Sequence, residues 1–144
     1  MKIVHTKDTM SAIYLDALSI RHQVFMLEQH VPKEIEIDKY EAACIHFVLY
    51  SDENVAVATC RLLPLEDGVI KLQRMAVQKK FRGKEYGRLI VEAAESFSKE
   101  QGYHIVTLGA QITALGFYER MGYVKEGEKF LDADIEHYKM NKAL

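Results

Sequence analysis

Residues Met75–Ile90 constrain this chain more than any other stretch. An apolar run of strand character ends at Val77, a basic loop with Gly83 and Gly87 follows, and an apolar-periodic helix begins within a few residues. A strand that hands a glycine loop to a helix N-terminus leaves backbone N–H groups unpaired beside the positive end of the helix dipole. That arrangement favours a phosphate or another anion. Lys79, Lys80, Arg82, Lys84 and Arg88 against Glu85 give this window a charge of +4 in a chain of net −2, so the remainder carries −6. The cationic charge is concentrated at the loop. Neither common nucleotide fingerprint fits, since the loop has no Gly-Lys-Ser/Thr and no G-x-G-x-x-G.

A length of 144 residues predicts one domain, 1–144, with a core that needs no metal or disulfide staple. Apolar content of 49% with 28% charged residues belongs to an ordinary globular chain. No apolar run approaches a membrane span, and Met1-Lys2-Ile3 opens straight into a strand-like pattern without a signal peptide. Cys44 and Cys60 lie in apolar runs with no metal-site spacing, which predicts buried free thiols in a reducing cytoplasm. The net charge argues against nucleic-acid and membrane-surface partners.

Lys2–Thr6 reads as a strand. Asp8 or Thr9 can cap a helix whose apolar face is Ile13, Ala17, Ile20, Val24 and Leu27, ending before Pro32. An acidic loop, His30–Glu41, follows. Alternating and β-branched residues predict strands at Ala43–Tyr50, Val55–Leu63 and Val69–Val77, with turns at Asp52-Glu53-Asn54 and Glu66-Asp67-Gly68. The helix after the basic loop presents Tyr86, Ile90, Ala93, Ala94 and Phe97 on one face. Tyr103–Leu108, a short helix ending at Gly122, Tyr123–Phe130 and His137–Asn141 complete an α+β pattern.

Arg82-Gly83-Lys84-Glu85-Tyr86-Gly87 resembles the (Gln/Arg)-x-x-Gly-x-(Gly/Ala) pyrophosphate loop of the GNAT superfamily of acetyl-CoA-dependent N-acetyltransferases, with Glu85 replacing the middle glycine. Downstream, Gln111, Ala114, Phe117, Tyr118, Gly122 and Tyr123 resemble that superfamily's second signature, with Gln111 in the place of an asparagine. Ile20-Arg21, Val24-Phe25, Glu28-Gln29, Val31-Pro32, Asp38, His46 and Cys60-Arg61-Leu62, with Phe130-Leu131-Asp132, Ile135 and His137, resemble the small ElaA-like subgroup. The resemblance implies an α/β sandwich: a mixed, mostly antiparallel sheet of about six to seven strands flanked by about four helices. It also implies acetyl-CoA, a small-molecule or peptide amine, no metal, and a homodimer as the assembly to look for. The implied cofactor contacts are Met75, Ala76, Val77, Arg82, Gly83, Lys84, Glu85, Tyr86, Gly87, Arg88, Gln111 and Tyr118. If Glu85 points outward with ordinary right-handed angles, it is compatible with the phosphates.

Acyl transfer from a thioester to an amine needs a neutral amine, a held carbonyl and a proton for the departing thiolate. Tyr118 matches the superfamily's usual general acid. As a bare helix aromatic it would read as a core residue, and the surrounding motif favours the catalytic role. No carboxylate lies in Val69–Val77, which leaves Glu28, Asp38 and His46 as proton relays, although His46, on an alternating strand, reads first as a satisfied structural histidine. Glu28, Glu34, Glu36 and Asp38 read either as an anionic rim for a cationic amine or as a solvated loop. Arg21, Arg61 and Arg74 read either as contacts for an anionic substrate group or as ion-pair partners. The substrate-binding set is therefore Glu28, Arg21, His46 and Arg74. Two other functions fit parts of the sequence. Arg21-x-x-Val24-Phe25 with Arg61-Leu62-Leu63-Pro64 is similar to acyl-homoserine-lactone synthases, although this chain is short and has no Trp. A non-catalytic CoA-binding module is the other.

Overall fold

A computed structural model describes residues 1–144. The chain starts with Lys2–Thr6 (β1) and the helix Ala12–Arg21 (α1), which runs on as a π-helical segment, His22–Glu28. The cap is Ser11, whose hydroxyl accepts from Tyr14 N–H at 3.2 Å. Asp8 instead accepts from Met10 N–H, one turn too early to start the helix. Ala17, Ile20 and Val24 are buried as the periodicity predicts, whereas Leu27 is 55% exposed. The wider π turn advances the side-chain phase more slowly than an α turn, so a residue placed by α spacing rotates off the apolar face.

A short helix, Lys33–Glu36 (α2), interrupts the acidic segment. Ile45–Tyr50 (β2), Ala56–Pro64 (β3) and Val69–Val77 (β4) then form an antiparallel meander. Tyr86–Glu100 (α3) leads to Ile105–Gln111 (β5), and Leu115–Arg120 (α4) leads to Val124–Asp132 (β6) and Ile135–Ala143 (β7). The sheet has seven strands in the order β1-β2-β3-β4-β5-β7-β6, and only β4 and β5 are parallel neighbours.

Each face of the sheet is covered by one long helix. On one face Ile90, Val91 and Ala94 of α3 pack with Cys60, Leu62, Ile70, Leu72, Leu108 and Met140. On the other, Ala17, Ile20 and Val24 pack with Val48, Tyr50 and Ala76. Cys44 and Cys60 are free and buried. No helix is long and apolar enough to cross a membrane.

Candidate active site

β4 pairs with β5 only at Val69↔Ile105, Ile70↔Val106 and Lys71↔Thr107. β5 is paired with β7 from Ile105 to Gln111, and from Leu108 onward β7 is its only paired neighbour, so the two parallel strands diverge. A cleft of about 1000 Å³ fills the split, lined by Leu72 to Val77 on one side and by Leu108, Gly109 and Gln111 on the other. Because it passes through the sheet, the cleft is open to both helix layers: α3 and α4 on one face, and α1 with its π-helical extension on the other.

The basic loop closes one end of this cleft. No backbone N–H from Gly83 to Arg88 finds an acceptor in the protein, and the first bond of α3 is Leu89 N–H to Glu85 C=O at 3.0 Å. Gly83 and Glu85 both have positive φ, 77° and 70°, ahead of the right-handed turn that starts α3. Such alternation turns successive N–H groups toward one point and forms an anion nest. A Cβ on Gly87 would lie 3.5 Å from Phe117 and from Val77 Cγ2, both of which line the cleft. The residues therefore fit a pyrophosphate-bearing cofactor.

Glu85 differs from the expectation of right-handed backbone angles. Its φ of 70° and ψ of 4° are left-handed. The loop must reverse handedness at this point to aim its N–H groups inward, and glycine is the residue that does so without steric cost. Its side chain points outward and pairs with Arg88. All of the expected cofactor contacts except Lys84 line the cleft.

Across the cleft mouth, Arg82 donates to both carboxylate oxygens of Glu28 at 2.7 Å and from Nε to Val77 C=O at 2.9 Å. The Arg82 hydrogen bonds hold the Glu28 carboxyl below its ordinary value. Gln111 Nε2 donates to Gln29 Oε1 at 2.9 Å, a second tie from the cleft floor to the π-helical segment.

Arg74 marks a bulge in β4. Thr59 pairs with Ala76 and Arg61 with Gln73, so β4 carries one extra residue, and Arg74 sits at φ 55°. A non-glycine residue there costs roughly 1–3 kcal/mol and persists only where its surroundings hold it. Arg74 is held by Glu36, Nε to Oε2 at 2.7 Å, and by Asp38. Arg74 and Met75 have no partner residue on either neighbouring strand. The bulge thereby frees the backbone beside Met75 to face the cleft.

Tyr118 approaches from α4. Gly122, at φ 97°, ends that helix, and Tyr123 N–H returns to Tyr118 C=O at 3.0 Å. Tyr118 is thus fixed between Phe117 and Tyr123, with ring centroids 4.9 and 5.5 Å away. It is only 6% exposed, yet Oη makes no hydrogen bond within the protein. No sealed side-chain oxygen or nitrogen lacks a partner, so Oη opens onto the cleft. Burial pushes the phenol well above its ordinary value of 10.0, with a smaller contribution from Cys60.

Arg21 and His46 do not reach this cleft. Arg21 is 1% exposed and donates to Glu36 and Glu41, both at 2.8 Å. Burial opposes its charge, but the hydrogen bonds to Glu41 and Glu36 outweigh that and raise its pKa. Arg61 joins Glu41 and Asp38 at 2.7 Å each. His46 Nε2 lies 2.8 Å from Glu41 C=O under the edge of Tyr14, and burial lowers its pKa. The expectation that Arg21 and His46 contact substrate gives way to a structural role. They pin the Glu36–Glu41 segment onto the sheet, and Glu36, expected on a solvated rim, is buried with them.

A family model described as an acetyltransferase (GNAT) domain matches residues 7–144. The chain belongs to the GNAT superfamily of acetyltransferases. It is 40% identical over 129 residues to the uncharacterized N-acetyltransferase YjcF of Bacillus subtilis, covering 88% of this chain and 90% of that one. The crystal structure of an acyl-CoA N-acyltransferase from Pseudomonas aeruginosa superposes with a TM-score of 0.86 at 25% identity, covering 99% and 100% of the two chains. Escherichia coli ElaA gives 0.84 at 24% identity over 99% of each chain, a likeness of fold. The expected architecture of six to seven strands and four helices is that of this GNAT protein.

Phe130 and His137, for which the sequence carried no expected role, line the cleft from β6 and β7. The signal was present in the Phe130–His137 stretch of the subgroup resemblance. Strand periodicity could not say which face it would occupy.

Proposed function

We propose that this GNAT protein is an acetyl-CoA-dependent N-acetyltransferase acting on a primary amine of a small molecule or peptide, with Tyr118 as its general acid. The observation that carries the reading is continuity: the unpaired N–H row of Gly83–Arg88 opens into the same cleft as the β4–β5 split and Tyr118. Acetyl-CoA, when bound, supplies an acetyl group activated as a thioester. The backbone N–H groups from Gly83 to Arg88 hold its pyrophosphate, with Arg82 and Arg88 adding charge at the rim. Gly87 keeps the channel clear, and Gln111 offers its amide to the pantetheine arm. The backbone at Met75–Val77, unpaired on its β5 side by the split and at Met75 freed from β3 by the Arg74 bulge, polarises the carbonyl. Tyr118 keeps its proton at Oη through neutral pH, because burial disfavours the phenolate, and releases it only to a strongly basic sulfur. Acceptor groups enter from the α1 face, between the π-helical segment and the β6–β7 turn.

Incubating the purified protein with acetyl-CoA and a broad panel of primary amines and peptides, with mass spectrometry of the products, tests this. Acetylated amine at catalytic turnover is expected. CoA binding without turnover of any amine overturns the reading in favour of a binding module. Strict dependence on an acyl-carrier protein overturns it in favour of a lactone-synthase-like acyltransferase.

A further inference from the structure

The mechanism above has a proton donor but no group to receive the proton that an ammonium must lose before it attacks. Four acidic side chains of the 28–41 segment are committed. Glu28 is bound by Arg82, Glu36 by Arg21 and Arg74, and Glu41 and Asp38 by Arg61. β4 offers Lys71 and Gln73 on the acceptor face and no acid.

His137 is placed differently. Ala133 and Asp134, at φ 51° and 60°, reverse β6 into β7 and bring Phe130 opposite His137. The two rings stack at 5.6 Å with 22° between their planes. On its other side His137 pairs with Gln111 of β5. Directly opposed residues share a face and successive residues alternate, so His137 and Gln111 project away from the face that holds Leu108, Met140 and Tyr118. His137 thus stands on the acceptor face of the split sheet, and Tyr118 stands on the cofactor face. Gly109 lies beneath it. A Cβ there would come within 3.2 Å of Phe130 and 3.9 Å of His137, so the ring stack rests directly on the cleft floor.

The ring's orientation fixes its protons. Nδ1 lies 2.6 Å from Ile135 C=O. A carbonyl only accepts, so Nδ1 carries the hydrogen of the neutral imidazole and Nε2 keeps its lone pair. Nε2 has no hydrogen-bond partner in the protein. His137 is 8% exposed and lines the cleft, and no sealed nitrogen lacks a partner, so that lone pair faces the cleft. The other ionisable groups in this half of the cleft are Lys71 from β4, Asp132 from the exposed end of β6, and the paired Arg74, Glu28 and Glu36. Only His137 combines an open lone pair with a ring locked by packing.

We propose that His137 Nε2 accepts the proton from the incoming ammonium. One N–H bond of the ammonium breaks and an Nε2–H bond forms, leaving a neutral amine and an imidazolium still tied to Ile135 C=O. The imidazolium then returns its proton to water through the open acceptor side. As the C–N bond forms and the C–S bond breaks, the leaving sulfur takes its proton from the Tyr118 hydroxyl. The second proton that the nitrogen sheds on becoming an amide restores that hydroxyl through water, so donor and acceptor act on opposite faces of the sheet. This inference rests on the transferase reading.

The test is His137→Gln, assayed with two amines found in the panel, one an ordinary alkylamine and one of low basicity that is already neutral at pH 7. Roughly 10²–10⁴-fold lower kcat/KM is expected for the alkylamine. The loss should shrink as pH rises, be small for the neutral amine, and recover in part with added imidazole. CoA affinity by calorimetry should not change. Equal losses for both amines at every pH, or none, overturn the assignment while leaving the transferase intact. A neutral tautomer with hydrogen on Nε2, read by long-range ¹H–¹⁵N NMR of the wild type, overturns it without any substrate. Failure of the wild type on every amine overturns the transferase reading, and this inference with it.

Discussion

Arg82 and Glu28 join the two halves of the site through two parallel hydrogen bonds of 2.7 Å. One residue opens the basic loop and the other ends the π-helical segment across the cleft mouth. Glu28 therefore neutralises, at the cradle, part of the charge that the loop concentrates there. The pair is substantially exposed, so it contributes about 1 kcal/mol or less to stability.

Glu28→Gln is expected to tighten CoA binding by roughly 3–10-fold at low ionic strength, because Arg82 keeps its charge and loses its competitor. The gain should fade in high salt. Calorimetry with CoA across a salt series checks it, and weaker binding at low salt would show that Glu28 instead positions Arg82 for the phosphates.

Glu85→Gly should bring the loop to its lowest-strain form. A left-handed non-glycine residue costs about 1–2 kcal/mol, against roughly 0.5–1 kcal/mol for the extra flexibility of glycine when unfolded. Stability should stay within about 1 kcal/mol of wild type, while CoA affinity rises with the loss of one negative charge beside the nest. Gly87→Asp should do the reverse, adding bulk against Phe117 and Val77 and an anion at the phosphates. Unchanged CoA affinity in Gly87→Asp would place the phosphates elsewhere.

The local signals were legible in the sequence, and the long-range ones were not. β4 spans Val69–Val77 as alternation predicts, and Gly122 caps α4 as its position predicts. The loop was read correctly as a row of unpaired N–H groups, since a helix start leaves them whatever the tertiary context. Leu27 was misassigned because α spacing cannot anticipate a π turn. The place of Arg21 and His46 off the cleft was not legible, because their partners, Glu36 and Glu41, lie in a segment whose acidic composition reads equally as a solvated loop. Ion pairing across 15 to 20 residues leaves no periodic trace. The orientation of His137 depends on a hairpin register that alternation does not fix.

The buried network predicts an acid sensitivity with a definite sign. Burial opposes the charge on Glu41, but hydrogen bonds from Arg21 and the Asp38 N–H, with attraction from Arg21 and Arg61, hold its carboxyl well below the ordinary 4.5. A depressed carboxyl contributes stability in full above its unfolded pKa and loses it as pH falls toward the folded value. Urea midpoints should therefore be flat from pH 7 to about 5 and fall below about 4.5. Arg21→Met, which leaves Glu36 and Glu41 short of a partner, should cost about 3–5 kcal/mol at pH 7. An acid-insensitive midpoint in the wild type would contradict the network.

Tyr118→Phe isolates the chemistry from the packing. Tyr118 Oη makes no hydrogen bond within the protein, so its removal breaks none, and the ring stays between Phe117 and Tyr123. The melting temperature and CoA affinity should change little, while turnover drops roughly 10²–10⁴-fold. Since burial raises the phenol above 10.0, the wild type should show no alkaline loss from Tyr118 up to about pH 10. The acetylation rate with a panel amine, measured from pH 6 to 10 in both proteins, decides the matter. Full turnover in the Phe variant would mean that water protonates the sulfur, leaving Tyr118 as a packing residue.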